Sequence, residues 1–596
     1  MNFLKTFLAS ILGTLIGISL LFLILFVAII SSSGEPEPYI RSNTVLTIDL
    51  SGTIPARTEH DPFRELFPSD TGDRVSLERL KTNLEKAAND DRIAGIWIKS
   101  NRVSASWANL ETAYNYLQEF KQESGKFVYA STDDLGMNES AYFLASLADS
   151  VFSPPETTFE FNGFVIQTSY FKNMLDKIGI EPEILRVGSY KSAVEPFIRE
   201  ESSPENREQL MSILNAASGT FISAVEKRGL SAERINELMN EIPENSVEWA
   251  RDAGLIDVIA HPHEIENAIK TRLELEEDET LRTVSLNRYN RVTPSSAGMD
   301  RIRTDDRIAV IYASGMIIPQ AMAGGPLSTD PTITAEGLQS SLKSSLDDDN
   351  VKAIVIHINS GGGAVSTSEL IWGHIREASK KKPVIAYMGN VAASGGYYIA
   401  MGADTVMAAP NTITGSIGIY NMLFNTQEFY NDKLGINFEA FKTHEHSDIN
   451  LMTRPLTSSE REAIQRSVED GYETFLNRVA EGRSMTRDEV HEVGQGRIWT
   501  GIEAHELNLI DLLGDLDDAI AVAAEKADIE EYRLVTYPER KELFEMLFSS
   551  TEARISSWVQ SLIPIPYTSE LQTLEQLMQH NIGRNWAIMP VQFTID

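Results

Sequence analysis

The sequence predicts an α/β protein built as two tandem copies of one domain behind an N-terminal membrane-crossing helix. Three observations carry this expectation. First, ADTVMAAP around Ala403, Asp404, Val406 and Pro410 matches ADSVFSPP around Ala148, Asp149, Val151 and Pro155. In that register Tyr397, Tyr398 and Ala400 fall opposite Tyr142, Phe143 and Ala145, and Ser394 meets Glu139. Aligning SPENREQL from Ser203 with TSSEREAI from Thr457 sets Lys191 opposite Glu445, so one copy holds a serine and the other a lysine. Second, each copy alternates short β-branched strands with amphipathic stretches, the pattern of buried parallel strands crossed by helices. Third, residues 7–30 carry no charge and are apolar enough to cross a hydrocarbon core of about 30 Å.

Taken in order, residues 1–6 form a cytoplasmic N-terminus, 7–30 a transmembrane signal anchor and 31–43 a Ser-, Gly-, Pro- and Glu-rich linker. A cleaved signal peptide is the rival for the span, with Ser31 and Ser33 small enough for a peptidase. Its apolar region is usually only about 7–15 residues, which favours the anchor. Lys5 before the span, with Glu35 and Glu37 after it, keeps the N-terminus cytoplasmic by the positive-inside rule. The remainder then lies across the membrane, in the periplasm of a bacterium with two membranes.

Residues 44–300 are the first copy and 301–538 the second. TVLTIDL from Thr44 and IAVIYA from Ile308 open them as strands, and each runs into Ser-Gly. Apolar strands follow at residues 93–98 and 351–358, then shorter ones at 127–130 and 384–387. Residues 276–306 are charged and weakly periodic, which places the boundary near Asp300. The tail, 539–596, departs from the repeat and mixes helical patches with the apolar run SLIPIPY. Docking back onto the chain is favoured for it over a membrane surface or a neighbouring subunit.

Composition narrows the function classes. At 596 residues, with 42% hydrophobic and 23% charged side chains, the chain is globular and too long for one core. A net charge of -34 argues against nucleic acid, because phosphate backbones are bound by clustered Lys and Arg. The absence of cysteine excludes thiol catalysis, disulfides and Cys-based zinc sites.

Two glycine-flanked motifs point to chemistry. Asn359-Ser360-Gly361-Gly362-Gly363 follows an apolar strand, where glycines let backbone N–H groups approach a ligand, although a tight loop also explains them. Ser394, in Ala393-Ser394-Gly395-Gly396, precedes a plausible helix; it is either a nucleophile or simply the cap of that helix. Thr414-Gly415-Ser416-Ile417-Gly418 reads as a wall of a site or as a turn. None of the ten histidines lies in a triad motif, and His444-Glu445-His446 lacks the spacing of a zinc site. Lysine can serve as a base only if burial lowers its pKa from about 10.4. The surroundings of Lys191 in Gly188-Ser189-Tyr190-Lys191-Ser192-Ala193-Val194-Glu195-Pro196-Phe197 suit that, but spacing alone does not select it.

GSYKSAVEPF, NSGGG, ASGGYYIA and TGSIG, in that order, resemble the signal peptide peptidase (protease IV) family in its long duplicated form, peptidase family S49. The resemblance implies tandem ClpP/crotonase-like domains of repeated strand-strand-helix units. It implies Ser394 as nucleophile and Lys191 as general base, with an oxyanion hole drawn from Gly362, Gly363 and Gly395. It also implies a homotetramer degrading hydrophobic signal peptides at the membrane without a cofactor or metal. Gly361 departs from the family, which commonly has proline there. A non-catalytic scaffold and a crotonase-type acyl-CoA enzyme are the rival classes; an exported location speaks against the second.

Overall fold

The computed structural model describes residues 13, 14, 16, 17, 37–57, 75–241, 245–276, 278–300, 302–320, 331–538 and 585–589. The expected span at 7–30, apart from four of its residues, lies outside the described residues, as do the helical patches of the tail. Among the described residues no helix is long and apolar enough to cross a membrane.

The first copy supplies β1 (Thr44–Asp49), β2 (Ile93–Lys99), β3 (Phe127–Ser131), β4 (Ser150–Ser153), β5 (Glu181–Arg186), β6 (Val258–Ile259) and β7 (Arg282–Ser285). Six of them form one parallel sheet, β6-β4-β3-β2-β1-β7. Helices Leu77–Asn89 and Trp107–Ser124 are each opened by a serine, Ser76 or Ser106, whose hydroxyl accepts a first-turn N–H. They bury Leu80, Leu84, Leu110 and Leu117 against the strands. Each such side chain contributes about 1.5–3 kcal/mol on burial.

The segment expected to link the copies is more ordered than its charge implies. Residues 282–285 form β7, which pairs with β1 and closes the first sheet, and helix Leu286–Tyr289 follows. An edge strand needs little hydrophobicity, because only one of its flanks is covered. Val284 is the one residue of β7 that is buried.

The second copy supplies β8 (Arg307–Ser314), β9 (Met316–Ile317), β10 (Thr332–Ile333), β11 (Val351–Ser360), β12 (Gly362–Ala364), β13 (Val384–Ala393) and β14 (Thr405–Ala408). After these come β15 (Ile413–Gly415), β16 (Tyr420–Asn425), β17 (Ile498–Thr500), β18 (Leu512–Leu513) and β19 (Arg533–Tyr537), with β20 (Trp586–Ile588) from the tail. The second sheet runs β17-β15-β13-β11-β8-β19, with β14 branching beside β13 and β18 paired to β14. Its central strands are almost wholly buried, as their apolar runs require.

The duplication reappears in buried hydrogen bonds. Tyr142 donates its hydroxyl to the Leu255 carbonyl and Tyr397 to the Leu509 carbonyl, both at 2.7 Å. The matched aspartates Asp149 and Asp404 accept the backbone N–H of Val128 and Val384, both at 2.9 Å. Each aspartate thus ties the start of one strand to the turn before the next, which fixes the offset between parallel neighbours.

A third sheet, β10-β9-β12-β20-β16-β5, joins the copies. β5 leaves its own copy and pairs antiparallel with β16 over its full length, from Tyr420 opposite Arg186 to Asn425 opposite Glu181. This exchange carries the Lys191 segment into the second copy.

Candidate active site

β13 ends at Ala393, and Ser394 follows with φ 55 and ψ -115. A left-handed φ is costly for a residue with a side chain and is held by its surroundings. Here the Ser394 N–H donates to the Gly415 carbonyl at 2.8 Å, and the Ser394 carbonyl accepts from Tyr398 of helix Gly395–Ala400. Ser394 stands at the start of that helix, but its hydroxyl makes no capping bond. The capping role weighed from sequence is therefore not what this side chain does.

Lys191 arrives after β5. Gly188, at φ 100, passes so close to the 495 loop that an added Cβ would lie 2.2 Å from the Gln495 carbonyl oxygen. The Val187 and Tyr190 N–H groups donate to the carbonyls of Ile419 and Gln495. Gln209, on helix Pro204–Glu226, donates to the Ser192 hydroxyl at 2.8 Å and accepts from the Ile498 N–H at 3.1 Å. Arg186 donates to the Lys191 carbonyl at 2.9 Å. The lysine backbone is thereby clamped between the two copies. Gly496 forms the floor beneath it, since a Cβ there would lie 2.6 Å from Lys191 Cβ.

The two side chains meet. Lys191 Nζ lies 2.7 Å from Ser394 Oγ, although the residues are 203 positions apart. Nζ also reaches the Ser416 carbonyl at 3.2 Å and Ser416 Oγ at 3.0 Å. Lys191, Ser394 and Ser416 are each 0% exposed. Desolvation, with no carboxylate among the described residues to offset it, holds the Lys191 pKa well below the ordinary lysine value.

The glycine loop packs against the serine. A Cβ on Gly395 would lie 3.0 Å from the Gly363 nitrogen, and one on Gly362 would lie 2.7 Å from the Gly395 nitrogen. Three backbones therefore touch where any side chain would separate them. Within the loop the Gly362 N–H donates to Ser360 Oγ at 3.1 Å. That leaves Gly363 and Gly395 as the donors closest to hand.

The two counterparts from the repeat behave differently. Glu139 is buried and accepts the Asn162 N–H at 2.6 Å, with its pKa raised by desolvation. Glu445, opposite Lys191 in the alignment, lies exposed on a loop and takes no part in the site. His444 is exposed on the same loop, and His446 pairs with Glu460 at 3.0 Å.

Comparison with known proteins decides the family. The model of peptidase family S49 matches twice, over residues 120–276 and 376–530. The chain belongs to peptidase family S49. It is a serine protease. It is 35% identical over 507 residues to the chloroplastic serine protease SPPA of Arabidopsis thaliana, covering 85% of this chain and 72% of that one. It is 32% identical over 552 residues to Protease 4 of Salmonella typhi, covering 89% and 86%. A ClpP1 mutant from Listeria monocytogenes aligns over 35% of this chain and 94% of its own at 17% identity, with a TM-score of 0.24, too low to bear on the fold. The two matches of the S49 model fall one in each copy, so the duplication is a duplication of the peptidase domain itself.

Proposed function

We propose that this S49 peptidase hydrolyses peptide bonds through a dyad of Ser394 and Lys191, acting on hydrophobic signal peptides at the membrane. The observation that supports it most is the 2.7 Å contact between a wholly buried amine and a wholly buried hydroxyl on a strained backbone. A buried amine without a carboxylate partner is stable only as the neutral base.

With the amine neutral, the hydrogen bonds support one arrangement of the protons. A neutral amine has two N–H donors and one lone pair. The Ser416 carbonyl accepts one N–H, and Ser416 Oγ accepts the other while its own hydroxyl faces the Gly496 carbonyl at 3.4 Å. The lone pair remains for Ser394, whose O–H donates to Nζ. Ser394 Oγ attacks the peptide carbonyl as its proton passes to Lys191. The oxyanion is held by the N–H groups of Gly363 and Gly395. Lys191 returns the proton to the leaving amine, and the acyl ester is then hydrolysed by a water that Lys191 activates.

Residues 7–30 anchor the chain in the bacterial inner membrane, with the catalytic domains in the periplasm and a homotetramer as the working form. That location brings the site to peptides left in the bilayer, and the family resemblance supports it. Ser394→Ala and Lys191→Ala are each expected to lower hydrolysis of an apolar peptide at least about 10³-fold with folding intact. Near-normal turnover in either refutes the assignment.

A further inference from the structure

Gln209, on helix Pro204–Glu226, is a polar side chain at 0% exposure in the seam between the copies. Its backbone partners fix which end of the amide is which. Oε1 takes the Ile498 N–H at 3.1 Å, a group that can only donate, and Nε2 faces the Tyr190 carbonyl at 3.4 Å, which can only accept. Nε2 also donates to Ser192 Oγ at 2.8 Å and to Asn206 Oδ1 at 2.9 Å. The nitrogen end therefore touches the residue before Lys191 and the residue after it.

The oxygen end reaches the other half of the site. Ile498 lies on β17, the last strand of the second sheet, opposite Gly415 of β15. The next pair along is bonded, since the Ser416 N–H donates to the Arg497 carbonyl at 2.6 Å. Bonded and non-bonded pairs alternate in an antiparallel ladder, so the Ile498 N–H points away from β15 and out of the sheet edge, where Gln209 meets it. Across the ladder, the Gly415 carbonyl accepts the Ser394 N–H, and Ser416 accepts from Lys191 Nζ. One buried amide thus spans from both shoulders of Lys191 to the strand beside Gly415 and Ser416.

We propose that Gln209 is a positioning residue that sets the Lys191 amine on Ser394. This rests on the dyad reading given above. Gln209 acts through the backbone on each side of the lysine and through β17, not on the reacting atoms. The pair Arg497–Glu208 crosses the same seam at 2.8 Å, but the Glu208 side chain is 52% exposed, and an ion pair so open to water holds little. The buried amide holds the register more firmly, because any slip leaves its partners unsatisfied where water does not replace them. An amide also suits the place chemically. It offers a donor and an acceptor without charge, whereas a carboxylate only accepts and would favour the protonated lysine.

The test uses the full chain in detergent with a fluorogenic apolar peptide, each variant assayed below the onset of its own melt. Gln209→Met keeps the bulk and removes every hydrogen bond of the amide. It is expected to lower kcat by about 10–100-fold with KM within about twofold, as a misplaced base requires. A lysine that has drawn back from Ser394 is also less desolvated, so the acid limb of kcat/KM is expected to move up by at least about half a pH unit. A mere loss of folded protein would lower kcat and leave that limb in place. Wild-type kcat, or a lowered kcat with the acid limb unmoved, overturns the proposal and leaves the amide as packing. If the methionine variant does not fold, Ser192→Ala, which removes one partner of the amide, decides on the same two readings. Lys191→Ala measured alongside separates the two readings: turnover there removes the dyad itself, whereas an inactive Lys191→Ala beside a wild-type Gln209→Met removes only the role of Gln209.

Discussion

Replacing Lys191 by methionine is expected to abolish activity while raising stability, with a pH dependence that identifies the cause. Methionine nearly matches the volume of the lysine stem and fills the space between Gly418 and Gly496 without an amine to desolvate. In the wild type the amine is 0% exposed and, among the described residues, meets only hydroxyl and carbonyl oxygens. Its folded pKa therefore lies well below its unfolded value of about 10.4. Between those two values the unfolded chain holds a proton that the folded chain lacks, so wild-type stability rises with pH. The slope reaches about 1.4 kcal/mol per pH unit and vanishes outside the window. Lys191→Met has no such group. It is expected to melt above wild type near neutral pH, by the equivalent of about 1–2 kcal/mol, and the gap is expected to close and then reverse as pH approaches 10. Thermal melts of the two proteins from pH 6 to 10 measure it. A gap independent of pH, or a variant that melts lower at neutral pH, refutes the reasoning.

The same titration governs turnover, so kcat/KM is expected to fall as pH drops through the lowered Lys191 pKa, and a profile flat from pH 5 to 9 contradicts a lysine base. Ser416→Ala removes one acceptor of Nζ and is expected to lower kcat by about 10–100-fold with KM little changed, read by steady-state kinetics. Gly496→Ala puts a Cβ 2.6 Å from Lys191 Cβ at φ 84, and is expected to cost about 1–3 kcal/mol in a melt together with most activity. Gly361→Ala is expected to be neutral or to stabilise by about 0.4–1 kcal/mol, because the nearest atom to its Cβ is 3.7 Å away and its φ is not left-handed.

The parts of the site that could be read from sequence were those carried by local motifs. Ser394 and the glycine loop each follow an apolar strand, and the strand ends place them. Lys191 has no such strand-end signal; only the resemblance of GSYKSAVEPF selected it. What escaped was long-range. Gln495 and Gly496, which grip the lysine backbone, lie in a short loop without periodicity, and only the crossing of β5 onto β16 brings them there. TGSIG was visible as a glycine motif, but whether its serine faced a site or a turn depended on where Lys191 came to rest. β7 was hidden because an edge strand with one buried side chain leaves no apolar run. Alignment set Glu445 opposite Lys191, yet the 445 loop makes no strand exchange, so sequence correspondence did not carry over to position. β20 is too short to signal a strand, and only its pairing with β12 and β16 defines it.

The central claim, one hydrolytic centre assembled from a serine in one copy and a lysine in the other, is tested most directly by trapping the acyl-enzyme. A peptide ester is added, the reaction is quenched in acid during turnover, and digested fragments are weighed by mass spectrometry. The account predicts an acyl adduct on the fragment containing Ser394, absent from Ser394→Ala and formed at least about 10³-fold more slowly in Lys191→Ala. An adduct on another residue, or one formed at the wild-type rate without Lys191, contradicts it.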